Sequence, residues 1–399
     1  LLVMHLAVIP FIAGILFQLK ILVQKLNPEV NFLWLLVLVF FEPTFSTLAI
    51  LGSYDFAICF LMLYTMNCII ANRKKVFYFI CLSALMLINQ RGFMLVFVLF
   101  LLDVYYFYCV FKNRFSFKSF LQLCFPFAVS AIIFIAWLYY HYYMLGWFIV
   151  ADSFRNFHHL NSPEMLCRNF IYIFWKIFDF GRFIIWIPVL ILAVYLFFKK
   201  KLFSTYNHAF VLLLTSLLYY FIFLFPTAYP VSHRYFLCSY ILAYIPFLSI
   251  MNKINSVKLR NILLIATCAI LITGNFILYP ERFGNGWDSS LKTFPYFKLE
   301  KKLVDYVHNN KIESKTIAAD YPMNFDLHDT WLMPGHFQFI DFNKENIGNY
   351  FYIIQSNISN NFTPAGINEL RQNWIFEKEF SSCQIYIRLY RNPIFAKNK

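Results

Sequence analysis

Two short stretches of the chain place cationic side chains beside apolar runs, a setting that suits the binding of an anion. Arg91 lies between two apolar runs, and His233 and Arg234 lie just before another. The planar guanidinium group of arginine donates paired hydrogen bonds to phosphate oxygens. We therefore interpret Arg91, His233 and Arg234 as candidate phosphate-binding residues. For His233 the alternative is a neutral histidine at the membrane interface.

Two acidic residues share this apolar context and are further candidates for substrate binding. Asp55 stands at the start of an apolar run, where three roles fit: orienting a hydroxyl group, pairing with Arg91, or capping a helix that begins there. Glu42 precedes Pro43 within an apolar run, and an ionisable residue in such a run is a functional candidate by default. The alternative for Glu42 is an acid close to the membrane boundary.

A third group of candidates combines an acid, a cation and two imidazoles in one short segment, at Asp152, Arg155, His158 and His159. Adjacent histidines do not share one face of a helix, so we do not expect a metal site there. The nine cysteines also lack the spacing of a zinc site. We interpret the segment as a candidate for acceptor recognition or for help to a general base.

These candidates belong to an unusually apolar chain. Of the 399 residues, 60% are hydrophobic and 14% are charged, whereas soluble domains have about 45–50% apolar and about 25% charged residues. Since a helix needs roughly 20 apolar residues to cross a membrane, the sequence predicts an α-helical polytopic membrane protein with about ten transmembrane helices. The predicted spans are 1–23, 31–51, 55–72, 76–90, 92–111, 119–144, 183–198, 207–226, 234–251 and 261–279.

The basic excess predicts the orientation of these helices. The formal net charge is +14, which by itself would favour a nucleic-acid partner. Almost the whole excess lies in every second loop between the spans, and short basic loops stay in the cytoplasm. The residues concerned are Lys20, Lys25, Arg73, Lys74, Lys75, Lys112, Arg114, Lys118, Lys199, Lys200, Lys201, Lys253, Lys258 and Arg260. We therefore expect no nucleic-acid partner, and we expect the candidate residues at the outer face.

Two regions are predicted to lie outside the membrane. The long outer loop 145–182 contains an amphipathic segment, 163–180, which we expect to lie as a helix at the interface, although a further transmembrane span is the alternative. After Tyr279 the acidic and basic residues are nearly balanced, and predicted strands alternate with predicted helices. The sequence thus predicts a transmembrane domain over 1–279 and a small extracytoplasmic α/β domain over 280–399.

Three stretches, 54–60, 232–236 and 284–291, carry a resemblance to a known family. Together with the many spans, the long outer loop and the C-terminal outer domain, they resemble the GT-C membrane glycosyltransferases. The similarity is greatest to the protein-mannosyltransferase and aminoarabinose-transferase-like branch. The resemblance implies transfer of a sugar from a polyprenyl-phosphate donor to an acceptor at the outer face of the inner or plasma membrane. Membrane lipids would be further partners, and a divalent cation is the one cofactor that it leaves open.

The resemblance also bears on the catalytic residue, because such enzymes usually carry a catalytic acid in the first outer loop. The chain opens inside what resembles the second span of the family, so the catalytic acid is expected before Leu1. No catalytic residue is therefore assigned within the chain, and its activity as given is left open. A transporter or flippase of lipid-linked sugars, a polymerase of such sugars, and a non-enzymatic membrane protein are the alternatives.

Overall fold

The computed structural model describes residues 2–396 except 73–75, 113–115, 149–162, 200–207, 227–231, 282, 284, 289, 325–336 and 359–361. The chain divides into two compact units, Leu1–Gly274 and Asn275–Lys399. The second unit thus begins five residues before the predicted domain boundary at 280.

The first unit is built of helices. They are α1 (Leu2–Leu26), α2 (Phe32–Phe41), α3 (Pro43–Leu51), α4 (Asp55–Ile70), α5 (Val76–Ile88), α6 (Gln90–Tyr105), α7 (Phe117–Leu145), α8 (Pro163–Phe178), α9 (Phe183–Phe198), α10 (His208–Tyr219), α11 (Leu237–Asn252) and α12 (Val257–Gly274). One π-helical turn extends α6 over Tyr106–Val110 and another extends α10 over Tyr220–Leu224. A 3-10 turn, His233–Phe236, leads directly into α11.

Several of these helices are long and apolar enough to cross a membrane, which indicates a membrane protein. Within the described residues there are five such helices, or up to seven if each of two bent helix pairs counts as one span. The predicted number of about ten spans is therefore not confirmed. The difference arises because the apolar runs that form α4, α5 and α10 make shorter helices, and because two further stretches are bent. Hydropathy reports an apolar run but not where its helix ends.

The two bends have local causes. The apolar run 31–51 breaks between α2 and α3 with a bend of 66°. Glu42 ends α2 and also caps α3, where its Oε2 accepts a hydrogen bond from the Phe45 backbone N–H at 2.5 Å, and Pro43 suits the first position of α3. The pair α8 and α9 is bent by 109°, and Gly181 adopts a positive φ of 83° in the turn between them.

Helices α4 and α11 form the interior of the first unit. Almost every residue of α11 is buried, and so are most residues of α4, including its first residue, Asp55. A helix that is apolar on all sides needs neighbours on all sides, and α11 packs against α2, α4, α9 and α10. The segments that precede these two interior helices therefore carry polar side chains into a well-packed environment.

The second unit is an α/β domain, which confirms the predicted small C-terminal sheet. Its strands are β1 (Ile317–Ala319), β2 (Ile340–Asp341), β3 (Tyr352–Ser356), β4 (Ile375–Ser382) and β5 (Ile385–Arg391), and its helices are α13 (Pro295–Asn309), α14 (Pro364–Asn373) and α15 (Pro393–Ala396). The strand order is β2-β1-β3-β5-β4, with β1 parallel to β2 and β3. Strands β4 and β5 form an antiparallel hairpin, and β5 pairs with β3 antiparallel. The sequence predicts strands over 316–321, 336–341, 350–355 and 383–390, and none at β4.

Two apolar clusters hold the helices of this domain against its sheet. One cluster contains Leu299 and Leu303 of α13 together with Ile385 and Ile387 of β5. The other contains Ile367 and Leu370 of α14 together with residues of β1 and β3. Because side chains alternate between the faces of a strand, the two clusters lie on the two faces of the sheet.

We predict that Gly274→Ala destabilises the first unit, because the added methyl group would lie 2.0 Å from the carbonyl oxygen of Phe180. Forcing extra volume into such a contact costs about 1–3 kcal/mol. The measurement is the melting temperature of the detergent-solubilised protein. Thr273→Ala is the matched control because it gives the same side chain at an exposed position of the same helix. Equal melting temperatures for the two variants would contradict the close approach of α12 to Phe180.

Candidate functional site

A fully buried arginine joins the two bends of the first unit. Arg182, which is 1% exposed, lies at the turn between α8 and α9. Its Nε and Nη2 donate to Oε1 of Glu42 at 2.7 and 2.5 Å, and Nη2 also donates to Oγ1 of Thr44 at 2.6 Å. Its Nη1 donates to Oδ1 of Asp179 at 2.8 Å. The guanidinium group thus binds the break between α2 and α3 on one side and its own turn on the other.

The same network extends to the turn that precedes α11. The Oδ2 atom of Asp179 lies 2.5 Å from Nε2 of His233, which is 2% exposed. An ionised carboxylate only accepts hydrogen bonds, so Nε2 of His233 carries the shared hydrogen. The guanidinium group of Arg182 also lies 4.0 Å from the ring centroid of Tyr240, whose hydroxyl donates to the Lys176 carbonyl oxygen. We call Glu42, Thr44, Asp179, Arg182 and His233 the Arg182 network.

A second ion pair lies at the start of α4. Nη1 of Arg91 lies 2.5 Å from Oδ1 of Asp55, and its Nη2 donates to the Tyr54 hydroxyl at 2.9 Å. The guanidinium group lies 4.5 Å from the ring centroid of Tyr235. Of the three roles considered for Asp55, the structure has the pairing with Arg91, while Tyr54 occupies the cap position of α4.

Local helix physics explains why the Asp55–Arg91 pair forms. Asp55 lies in the first turn of α4, where the positive end of the helix dipole stabilises an acid. Arg91 lies in the first turn of α6, which begins there because Asn89 accepts a hydrogen bond from the Gly92 backbone N–H. A cation at a helix N-terminus is disfavoured, so the carboxylate of Asp55 offsets that cost.

The ion pair borders a cavity of about 30 Å³, which we call the Arg91 cavity. Arg234 lines it together with Asp55, Arg91, Tyr219 and Tyr235. The volume is that of about one water molecule. Two guanidinium groups and one carboxylate thus border one side of this small cavity, while the rest of its lining is mostly apolar and includes Ile58, Met62 and Leu95. The charged side favours one oxygen atom of an anion.

The structure thus separates two candidates that are neighbours in the sequence. His233 belongs to the Arg182 network, whereas Arg234 lines the cavity with Asp55 and Arg91. Glu42 is buried, as expected of a functional candidate in an apolar run, and it has both a cation and a backbone N–H as partners. Asp152, Arg155, His158 and His159 lie outside the described residues. Within the described part of the chain, no group of three or more potential ligands suits a metal ion.

The sequence does not predict Asp179 as a site residue. Arg182 is one of several basic residues expected at the outer face, where basic residues are disfavoured and so invite an explanation, such as the binding of an anion. A weak signal was present, because Arg182 directly follows Gly181 and directly precedes an apolar run. Its partner Glu42 is 140 residues away, and no local pattern reports such a pairing.

Comparison with known proteins adds no assignment. No family model, no curated protein and no solved structure matches the chain. The chemistry of the two clusters must therefore be argued from their own geometry.

We predict that Glu42→Ala lowers the stability of the first unit severely. The change leaves buried donors of Arg182 and the Phe45 backbone N–H without their acceptor, which costs about 1–3 kcal/mol per group, although Asp179 still pairs with Arg182. The measurement is an SDS titration of the solubilised protein, followed by tryptophan fluorescence. Glu164→Ala, the same change at an exposed position of α8, is expected to alter stability by less than about 0.5 kcal/mol. Similar costs for both variants would show that Glu42 does not hold the network.

Proposed function

We propose that the chain is an integral-membrane glycosyltransferase that transfers a sugar from a polyprenyl-phosphate donor to an acceptor. The observation that carries the proposal is the convergence of Asp55, Arg91 and Arg234 on one cavity. These residues come from three separate parts of the sequence, and two of them belong to the stretches that carry the family resemblance. Their side chains have the chemistry that a lipid-phosphate leaving group needs.

In the proposed reaction a hydroxyl group of the acceptor attacks the anomeric carbon of the donor sugar. The bond from that carbon to the phosphate oxygen breaks, and the phosphate leaves with the bonding electrons. Positive charge near the departing oxygen stabilises this step, because negative charge develops there in the transition state. Arg91 and Arg234 supply it. The proton of the acceptor hydroxyl must pass to a base, and we assign no described residue to that role.

Asp55 is a positioning residue in this proposal. Its carboxylate pairs with Arg91 and accepts a hydrogen bond from the Ser53 hydroxyl at 2.8 Å. These contacts fix the direction of the Arg91 guanidinium group before a donor binds, which lowers the entropic cost of binding. Both carboxylate oxygens of Asp55 already have protein partners, so we do not assign Asp55 as the general base.

The size and place of the cavity suit a lipid headgroup. A volume of about 30 Å³ admits one phosphate oxygen between the guanidinium groups, while the rest of the lipid stays outside. The cavity lies among the first residues of α4, α6 and the turn before α11, hence at helix ends rather than at their middle. The distribution of basic loops predicts that these ends face the outer side of the membrane, where a lipid phosphate would lie.

The Arg182 network fixes the turn that carries Arg234, although its own residues do not line the Arg91 cavity. His233 is held by Asp179, and the next residue, Arg234, lines the cavity. Because residues 233–236 form one short turn, the hydrogen bond to His233 restricts where Arg234 and Tyr235 can lie. In this proposal the network is a positioning device, and none of its members contacts the reacting atoms.

We predict that Arg234→Gln lowers the release of polyprenyl phosphate from a labelled polyprenyl-phosphate sugar at least about tenfold, because a charged hydrogen bond to phosphate is lost. The assay uses proteoliposomes that contain the full chain. Arg168→Gln is the matched control, since it removes the same charge from an exposed position of α8. Arg234→Lys should restore part of the activity, because it restores the charge without the paired donors.

Two outcomes would contradict the proposal in different ways. Release that is equal in wild type and Arg234→Gln would remove the Arg91 cavity from the reaction. No release by the wild type, together with movement of the labelled lipid across the vesicle membrane, would favour the transporter or flippase alternative.

A further inference from the structure

A larger cavity lies at the other end of α11. Its volume is about 490 Å³, within the range of about 300–1,000 Å³ that is usual for small-molecule sites. It is bounded by the last residue of α11, Asn252, and by the first turns of α2 and α12. The lining residues are Glu29, Asn31, Trp34, Asn252, Val257, Arg260 and Asn261. We call it the Arg260 cavity.

The cation of this cavity has no acidic partner. Within the described residues, Arg260 forms no ion pair, although Glu29 lines the same cavity. A guanidinium group that borders a cavity without a carboxylate in contact retains its five N–H donors for a ligand. Arg260 therefore differs from Arg91 and Arg182, whose charges are neutralised by acids of the protein itself.

The backbone adds positive potential to the same place. Helix α2 begins at Phe32 and α12 begins at Val257, and neither has an acidic residue in its first turn. The two helices pack against each other, so their N-termini border one space. Asn31 caps α2 and Ser256 accepts a hydrogen bond from the Leu259 backbone N–H of α12, and each N-terminus still carries about half a positive charge. Such ends bind phosphate groups readily.

The neutral polar groups of the lining are asparagine side chains, which supply both donors and acceptors. Oδ1 of Asn31 accepts from the Leu33 backbone N–H at 2.9 Å, which leaves the side-chain NH₂ group of Asn31 to donate. Asn252 donates to the Glu29 carbonyl oxygen at 2.7 Å and so fixes the rim of the cavity. Asn261 and the half-buried ring of Trp34 complete the wall. Acceptor oxygens of a ligand can bind the NH₂ group of Asn31 and the guanidinium group of Arg260.

We infer that the Arg260 cavity binds a phosphate ester, with the phosphate group at Arg260 and the two helix N-termini. The volume leaves room beside the phosphate for a group of the size of glycerol or a sugar. Glu29 is the one acid of the lining, and it weakens the binding of an anion by repulsion. The inference does not depend on the proposed transferase function, because the Arg91 and Arg260 cavities share no residue.

The test measures binding of three probes to the purified full chain. Inorganic phosphate and glycerol 3-phosphate are titrated in detergent by calorimetry. Phosphatidylglycerol is compared with phosphatidylcholine in nanodiscs by native mass spectrometry. Binding of glycerol 3-phosphate in detergent identifies a soluble ester, and retention of phosphatidylglycerol alone identifies a lipid headgroup. Both outcomes support the inference, whereas binding of none of the three probes overturns it.

Variants of opposite sign connect the binding to this cavity. Arg260→Gln should weaken binding at least about tenfold, because a charge-assisted hydrogen bond is lost. Glu29→Gln should strengthen it about two- to fivefold, because a nearby like charge is removed. A variant that merely destabilised the protein could not strengthen binding. Arg168→Gln, at an exposed site of α8, should bind as the wild type does.

Either of two results would refute the site. One is equal affinity of wild type and Arg260→Gln for a probe that binds. The other is weaker binding by Glu29→Gln. If Arg260→Gln does not fold, which its melting curve would show, the sign of the Glu29→Gln effect still decides.

Discussion

One buried guanidinium group sets the arrangement of the helical unit. An arginine that is 1% exposed among apolar helices is costly unless each of its donors has a partner. Glu42, Thr44 and Asp179 provide those partners, and they are available only because α2 and α8 end where they do. The bends of 66° and 109° thus lie where Arg182 meets its two acidic partners.

The contacts of Arg182 also restrict the Arg91 cavity, because His233 belongs to the Arg182 network and the next residue, Arg234, lines the cavity. Asp179 holds His233, and the short turn that contains His233 also contains Arg234 and Tyr235. Tyr235 lies against Arg91, whose charge is neutralised by Asp55. Each contact is local, but together they connect α2, α4, α6, α8 and α11 at one end of the unit. The site is thus a consequence of how the buried charges are satisfied rather than an addition to a finished bundle.

The sequence allowed prediction of whatever depends on local composition. It predicted apolar helices, a small C-terminal sheet, and the pairing of Asp55 with Arg91 as one of three options. It did not predict the break at Glu42, because the apolar run 31–51 has the length and composition of a straight transmembrane helix. It did not predict the partners of Arg182 for a related reason. The role of a buried charge depends on its partner, and Glu42 lies 140 residues away from Arg182 in the sequence.

The basic residues of the chain consequently fall into two physical kinds. Lysines such as Lys20, Lys118 and Lys258 are exposed, and lysines make up most of the basic residues whose distribution predicts the orientation in a membrane. Arg91, Arg182, Arg234 and Arg260 instead lie in networks or line cavities. A planar guanidinium group forms several directed hydrogen bonds at once, whereas an ammonium group is a hydrated point charge. The location of the arginines, rather than the size of the net charge, is therefore what points to a ligand. In the Arg91 cavity the acid, Asp55, is already paired with the arginine, whereas in the Arg260 cavity Glu29 is not in contact with Arg260. We therefore expect these two cavities to differ in how tightly they bind an anion.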